Sequence, residues 1–559
     1  MWLRITEIKL PAESMRAAKN TNINDYEMSL IKKQVCKELD ISFEQGQEYI
    51  GKIEIYRKSP DIRKKAEPVF VYTVEAEIKG NVKKIKNHNI SVITKCESLY
   101  DEYISKISRN IKKTEKRPVV VGFGPAGMFS ALVLAEMGFQ PIVLERGQKV
   151  DERVSAVENF HKKGILNINS NIQFGEGGAG TFSDGKLNSL IKDKDTIGRF
   201  VLEAFVKFGA PKEILYKNKP HIGTDILRVV VKNIREYIIS KGGELRFDTK
   251  MTELLTFGGE ITGVKAVTMR NGADIEEKTE TDCVILAIGH SARDTFALLK
   301  TQKVAMEKKA FSVGVRIEHL QKDIDKSQYG KSAELMRELN GAADYKLSHR
   351  ASNGRGVYTF CMCPGGFVVG AASEEGRLVT NGMSNFDRAG KNANAALLVS
   401  VTPEDFPGDN VLSGVEFQRK IEENAFMAGG GNWRAPCQLV GDFLLGEQSK
   451  SVGRIEPSFS NGFALADLNS ILPKEVAAAL KEGIPAFGKK IDGFDAYEAV
   501  LTGCETRSSS PVRILRNEKG NSLSIKGLFP TGEGAGYAGG ILSAATDGIK
   551  VVEKWLDSL

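Results

Sequence analysis

The stretch Val119 to Gly147, VVVGFGPAGMFSALVLAEMGFQPIVLERG, constrains this chain more than any other. An apolar run at Val119 to Val121 meets Gly122-x-Gly124-x-x-Gly127 at once. Helix-forming residues follow to Met137, Gly138 stops them, and a second apolar run, Ile142 to Leu144, leads into Glu145. The order is strand, tight turn, helix, strand, acid, which is the pattern of a unit that binds a dinucleotide. Gly122 permits the turn, Gly124 lets the backbone approach a pyrophosphate, and Gly127 lets the helix lie close on the strands. Ala131 and Ala135 keep that helix face thin. The helix N-terminus, with Pro125 and Ala126 in its first turn, offers free N–H groups and a partial positive charge to phosphates. Glu145 is placed to accept hydrogen bonds from ribose hydroxyls, and an acid there disfavours a 2′-phosphate. A strand–helix–strand unit with no ligand is the competing reading; the agreement of all these parts weighs against it.

A chain of 559 residues exceeds one domain and predicts two or three. No apolar run reaches the length of a membrane span. The N-terminus, MWLRITEIKL, alternates as a strand does and does not read as a signal peptide. Seven cysteines, an odd number scattered along the chain, do not make a secreted disulfide framework, so a reducing cytoplasm is the expected location. The formal charge of +7 is placed unevenly: Met1 to Arg117 carries 24 Lys+Arg against 17 Asp+Glu, and the rest is neutral.

Residues 1–115 read as a small basic α+β domain. Leu3 to Leu10, Ile50 to Tyr56 and Val69 to Ile78 are strand-like, and Tyr26 to Leu39 has helical spacing with Met28, Ile31, Val35 and Leu39 on one face. RKSPDIRKK, Arg57 to Lys65, reads as a basic turn: either an RNA contact or a solvated hairpin, the second favoured because no RNA-binding signature accompanies it. Lys106 to Arg117 reads as a linker. After Glu145 comes a polar helical stretch, Val150 to Lys163. FGEGGAGTFSDGKL, Phe174 to Leu187, packs five glycines into fourteen residues with Thr181, Ser183, Asp184 and Lys186, a loop of exposed donors suited to running beside a pyrophosphate. A helix from Leu227, a strand Glu244 to Phe247, a hairpin turning at Gly258-Gly259 and a buried strand Asp282 to Ile288 ending at Gly289-His290 follow. Beyond about Lys300, Phe311 to Ile317, Gly356 to Phe360 and Gly366 to Val369 read as strands. Lys391 to Leu398, Val415 to Phe426 and Pro473 to Lys481 read as helices. The end, LFPTGEGAGYAGGILSAATDG, gives a strand, Thr531-Gly532-Glu533, a glycine turn and a helix starting near Gly540.

GFGPAG with Glu145, VILAIGH and the terminal TGEGAGYAGGI together resemble the single-dinucleotide-domain FAD oxidoreductases. Across nearly its full length the chain resembles an uncharacterised bacterial FAD-dependent dehydrogenase family, through FGEGGAGTFSDGKL, GHSARDTF, FCMCPGG and TRSSSPVR. The resemblance implies FAD as cofactor and a small-molecule substrate. It implies an α/β fold: a Rossmann-like FAD-binding domain split between 116–300 and 501–559, a mixed α+β substrate or cap domain at 301–500, and the N-terminal domain at 1–115. The expected cofactor-binding residues are Gly122, Gly124, Pro125, Ala126, Gly127, Glu145, Arg146, Gly178, Gly180, Thr181, Met251, Gly289, His290, Gly532, Glu533, Gly540 and Ile541. Glu533 stands where many flavoproteins carry Asp. No second strand–GxGxxG–helix unit is present, so NAD(P)H, if it is the reductant, docks transiently.

The candidates for chemistry are His221, Lys186, Cys361 and Cys363. His221 and His290 are proton-transfer candidates, since a free imidazole exchanges protons near neutral pH, and a hydrogen-bonded structural histidine is the competing reading for each. Cys361 and Cys363 read either as a disulfide that relays electrons from the flavin or as packed, inert thiols, the second favoured: they share one face of a regular strand, with Cα atoms near the ~7 Å limit for a disulfide. No Cys/His spacing completes a metal site. Arg293, Arg507 and Arg513 bind an anion or simply form salt bridges. The expected activity is an FAD-dependent oxidoreductase; the alternative is an RNA-modifying or RNA-binding flavoprotein that docks through its basic N-terminal domain. Nothing points to DNA or a membrane.

Overall fold

A computed structural model describes residues 1–18, 23–80, 88–108, 112–187, 196–270 and 273–559. Its centre is a five-stranded parallel sheet in the order Leu528–Pro530, Val284–Leu286, Val119–Val121, Ile142–Leu144, Glu244–Arg246. The three inner strands are only three residues long and wholly apolar, because helices cover one face while the antiparallel sheet of residues 249–280 and the helix Arg293–Thr301 cover the other, leaving no solvent side to alternate toward. The helix Pro125–Glu136 is buried on every residue from Ala126 to Ala135. The terminal helix Ile541–Leu556 crosses it closely, and Gly548 is the reason: a Cβ there would lie 2.8 Å from Ser130 Oγ. One sheet thus joins strands from residue 119 to residue 530. A three-stranded antiparallel sheet, Thr249–Phe257, Glu260–Arg270 and Ala273–Glu280, adjoins it and turns at Gly258 and Gly259, both with positive φ.

The second large sheet has seven strands in the order Ser348–Arg350, Gly356–Cys363, Asn392–Val401, Phe311–Leu320, Val500–Glu505, Ala435–Leu439, Phe463–Leu465. Phe311–Leu320 is buried at all ten positions and pairs with Asn392–Val401 along its whole length. The helix expected at Lys391 to Leu398 is therefore a strand. Ala and Leu favour helix in isolation, but here the run lies between two strands and tertiary pairing overrides that preference. The helices expected around Val415 and Pro473 are Ser413–Ala428 and Lys474–Gly488.

The N-terminal segment forms a four-stranded antiparallel sheet, Ile50–Asp61, Val69–Ile78, Trp2–Pro11, Ile90–Ile93, backed by the helix Ile23–Glu38. Ile50–Asp61 continues through the first half of the basic stretch expected to be a turn. That extension docks the segment on the rest of the chain: Lys58 N donates to Tyr216 O at 2.8 Å, Asn218 N donates to Lys58 O at 3.0 Å, and Arg57 reaches Asn218 Oδ1 at 2.9 Å. Its buried residues are continuous with the core of the seven-stranded sheet. An additional helix, Leu99–Ile107, lays Tyr100 on Phe200 at 4.8 Å between ring centres. It takes up the start of the expected linker Lys106 to Arg117, of which 109–111 lie outside the described residues. Among the described residues no helix is long and apolar enough to cross a membrane.

Candidate active site

The strand Val119–Val121 ends in Gly122 with φ +96°, where a Cβ would overlap the carbonyl O of Ala287 on the neighbouring strand. Gly127 is forced for a similar reason, since its Cβ would overlap Gly122 O. Gly124 is the N-cap of the helix that starts at Pro125, and no side chain caps it, which leaves the helix N-terminus for an anion. Glu145 is buried, and its carboxylate accepts from three backbone amides: Phe123 at 2.7 Å, Gly175 at 2.9 Å and Gly147 at 3.0 Å. A carboxylate has about four lone-pair sites, so it ties three loops together and keeps capacity for a ribose hydroxyl. Arg146 lies over the Phe174 ring at 4.0 Å and pairs with Asp294 at 2.9 Å.

The glycine-rich loop runs from Gly175 to Gly185. Gly177 N donates to Phe123 O at 2.9 Å, and Gly180 comes so near the terminal helix that a Cβ would lie 3.1 Å from Ile541 Cγ1. At the other end of the chain, Asp547 accepts from Thr531 Oγ1 and Gly532 N, each at 2.8 Å, and is held by Arg516. This clasp fixes the strand end from which Glu533 and the second helix start at Gly540 depart. A Cβ on Gly532 would lie 2.7 Å from Ala126 Cβ, and one on Gly180 would touch both Ile541 and Pro125, the latter at 3.8 Å, so the two helix starts meet across Gly180.

Both open onto one cleft of about 430 Å³. Of the expected cofactor-binding residues, Gly122, Gly124, Pro125, Ala126, Glu145, Arg146, Gly178, Gly180, Met251, Gly289, His290, Glu533, Gly540 and Ile541 line it. Gly127, Gly532 and Thr181 do not. The two glycines shape the walls from behind. Thr181 is fully buried: its hydroxyl donates to Glu176 O and its carbonyl accepts from Thr224, so it holds the loop's shape. His290 Nε2 and Arg146 Nε are buried in this wall without a partner, and His290 Nδ1 lies 3.7 Å from Glu533 Oε2. Two uncapped helix starts, a cradle that side chains would fill, a ribose-ready carboxylate and orphaned donors or acceptors fit FAD.

The same cleft is also lined by Lys186, Tyr345, Thr359, Phe360, Cys361 and Arg507. Lys186 lies 3.6 Å from Asp184, a buried carboxylate that also holds Arg388 and Ser384. Burial pushes the Asp184 carboxyl up, but Lys186 and Arg388 more than reverse this and hold it below the ordinary range. His221 is not part of the cleft lining: its Nε2 meets Phe386 O at 3.0 Å, its ring stacks on Phe386, and burial pushes it down to about 4. Its backbone forms a β-bridge with that of the lining residue Lys186, so it stands beside the wall with its ring on Phe386. Cys361 lines the cleft and Cys363 is buried behind it. The shared face of a regular strand is also lost, because the strand's register slips between Phe360 and Cys363.

Sequence reasoning missed Arg316. It is wholly buried beneath Cys361, donates to Cys361 O at 3.0 Å and Asn394 Oδ1 at 2.8 Å, and pairs with Glu505 at 2.5 Å. A lone arginine inside the apolar run FSVGVRIEHL was the available signal, since such a charge must find a buried partner. Arg293 and Arg507 both grip Glu422, at 2.6 and 3.0 Å, and Arg513 pairs with Glu307 at 3.2 Å, which is the salt-bridge reading of all three.

The family model for the C-terminal domain of FAD-dependent proteins matches residues 310–508. An uncharacterized protein of Clostridium beijerinckii is 48% identical over 544 residues, 96% of this chain and 98% of its own length. Among solved structures, a geranylgeranyl bacteriochlorophyll reductase-like protein of Thermoplasma acidophilum is 13% identical, covers 79% of each chain and has a TM-score of 0.35. The glycerol-3-phosphate dehydrogenase of Bacillus halodurans, complexed with FAD, is 14% identical over 82% of this chain and 66% of that one, with a TM-score of 0.33.

Proposed function

This chain belongs to the family of FAD-dependent proteins that includes the Clostridium beijerinckii relative, and from that premise we propose that it is an oxidoreductase acting on a small molecule admitted at the cap end of the cleft. One observation carries the reading: a single cleft is lined both by the two helix starts and by Lys186, Tyr345, Phe360 and Cys361. Bound FAD supplies two-electron chemistry. The glycines at 122 and 124 and the helix starts at Pro125 and Ile541 would hold its diphosphate, Glu145 a ribose, and Met251 and Arg146 the adenosine side. His290 and Glu533 close the wall between the diphosphate and the cap end.

On the substrate side, Lys186 places a cation where Phe360 and Tyr345 supply apolar surface. That pairing suits a substrate with an anionic group and a hydrophobic or aromatic body. The buried Asp184 fixes the Lys186 ammonium against the wall, and Arg316 with Glu505 holds the floor of the cleft rigid. Expelling water from this end strengthens each charge interaction with the substrate. The test is anaerobic: FAD-loaded protein is mixed with NADH, NADPH and pools of anionic metabolites while the flavin's visible absorption is followed. Bleaching by one class, weakened at least tenfold in apparent affinity by Lys186→Met, supports the reading. FAD-loaded protein that no donor class reduces contradicts it.

A further inference from the structure

We propose that Cys361 and Cys363 form a redox-active pair that cycles between dithiol and disulfide and exchanges two electrons with the FAD of the same cleft. This rests on the cleft being the FAD site. In a regular strand, residues two apart hold their Cα atoms at about 6.6 Å or more, at the limit for a disulfide. The strand is not regular here. Phe360 pairs with Ala396 and Cys363 with Asn394, so the chain fits one extra residue between them. Cys361 carries φ +42°, in the left-handed region that a cysteine adopts only under constraint. Bulges and such strained residues gather at functional sites. The irregularity folds Cys363 back on its neighbour, with Sγ 3.3 Å from the carbonyl O of Cys361.

The two thiols are also unequal. Cys361 is part-exposed and faces the cleft; Cys363 is buried behind it. The Cys361 thiol is held down to about 5, chiefly by a hydrogen bond from Cys363, with the charges of Arg316 and Lys186 adding to it against the effect of burial. Cys363 is pushed well up by that same bond and by burial. The remaining five behave oppositely to Cys361: burial pushes up Cys36, Cys283 and Cys504, raises Cys96 to about 11 and Cys437 to about 12. The site therefore favours ionisation of Cys361 over Cys363, and a thiolate beside a thiol is the combination that forms a disulfide. Oxidation makes the Sγ–Sγ bond, breaks the Cys363 S–H bond, and passes two electrons with that proton to oxidised FAD. In the reverse direction reduced FAD cleaves the disulfide and returns the proton to Cys363.

The test uses full-length, FAD-loaded protein oxidised with diamide, desalted, and titrated anaerobically with dithionite. Wild type is expected to take up about four electrons per bound FAD, and Cys361→Ser and Cys363→Ser about two, because each couple carries two. Alkylation of the denatured wild type with N-ethylmaleimide, followed by peptide mass mapping, needs no variant. The peptide holding both cysteines is expected to be unlabelled after diamide, doubly labelled after reduction of the FAD-loaded protein, and still unlabelled in FAD-stripped protein given the same dithionite. Uptake of about two electrons by wild type, thiols that stay labelled after diamide, or a disulfide that persists once the flavin is reduced would each overturn the proposal. Protein that binds no FAD would contradict the cleft reading itself, and this exchange with it; the flavin absorption distinguishes that failure from failure of the pair alone.

Discussion

A Cβ placed on Gly178 would lie 2.9 Å from the Cα of Gly124, so the two glycine loops of the cleft touch backbone to backbone. Neither loop can thicken without pushing the other off the helix start. Gly178 also has φ +63°, which an alanine adopts only at a cost. Gly178→Ala is expected to destabilise the protein by about 1–3 kcal/mol and to weaken FAD binding more than tenfold. Thermal melts of the FAD-stripped protein and flavin fluorescence titration check the two parts. Unchanged FAD affinity would mean that the loops do not meet at the cofactor.

Glu422 sits between Arg293 and Arg507 with no exposed surface, and joins the helix Ser413–Ala428 to the start of the helix Arg293–Thr301. Burial raises its carboxyl, but the two guanidinium groups reverse that and hold it well below the usual range. Its stabilisation is therefore present above about pH 4.3, where an unfolded glutamate ionises, and is lost as pH falls below that. Glu422→Gln leaves two buried cations short of a partner and is expected to cost about 3–5 kcal/mol. Urea denaturation at pH 7 measures it; a change under about 1 kcal/mol would show that the triad contributes little.

His319 is buried, its ring bonded to Phe494 O at 2.8 Å, and burial pushes it down to about 4. An unfolded imidazole titrates near about 6.5, so between those values the unfolded chain binds more protons than the folded one. Stability is full above about pH 6.5 and falls as the pH drops toward about 4, by up to about 3 kcal/mol from this residue. Denaturation curves at stepped pH values are expected to show the decline, and His319→Gln to flatten it. An unchanged slope in the variant would rule out His319 as its source.

Most cations of the basic stretch after Tyr56 have partners within the chain. Lys58 pairs with Glu27 at 2.7 Å, Arg63 with Asp61 at 2.5 Å, Lys65 donates to Ser327 O at 2.5 Å, and Arg57 reaches Asn218. A surface that binds RNA needs cations free to replace the counterions of phosphates. Full-length protein is expected to show no tRNA binding at physiological salt in a filter assay. Tight binding with a steep salt slope would restore the RNA-directed reading.

The nucleotide unit was legible because its pattern is local: strand, glycine turn, helix and acid lie within thirty residues and each has its own physical signature. The terminal motif was legible for the same reason, although it lies four hundred residues away. What was hidden depends on the fold. Nothing local distinguishes Asn392–Val401 from a helix; its two neighbouring strands decide. The cysteine spacing reads as plain alternation, and only the register against Asn392–Val401 exposes the slip. His221 has the composition of a catalytic group, but the stack on Phe386 that removes it from the cleft joins residues far apart in sequence. Thr181 reads as a phosphate donor until its hydroxyl is found turned to Glu176 O.

The most direct measurement is a crystal structure of the FAD-loaded protein. The FAD diphosphate is expected between the helix starts at Pro125 and Ile541, within hydrogen-bond reach of backbone amides of both, with the ring system pointing toward Lys186 and Cys361. A diphosphate bound by the first helix alone, or FAD lying outside the wall formed by Gly178 and Gly540, would contradict the account.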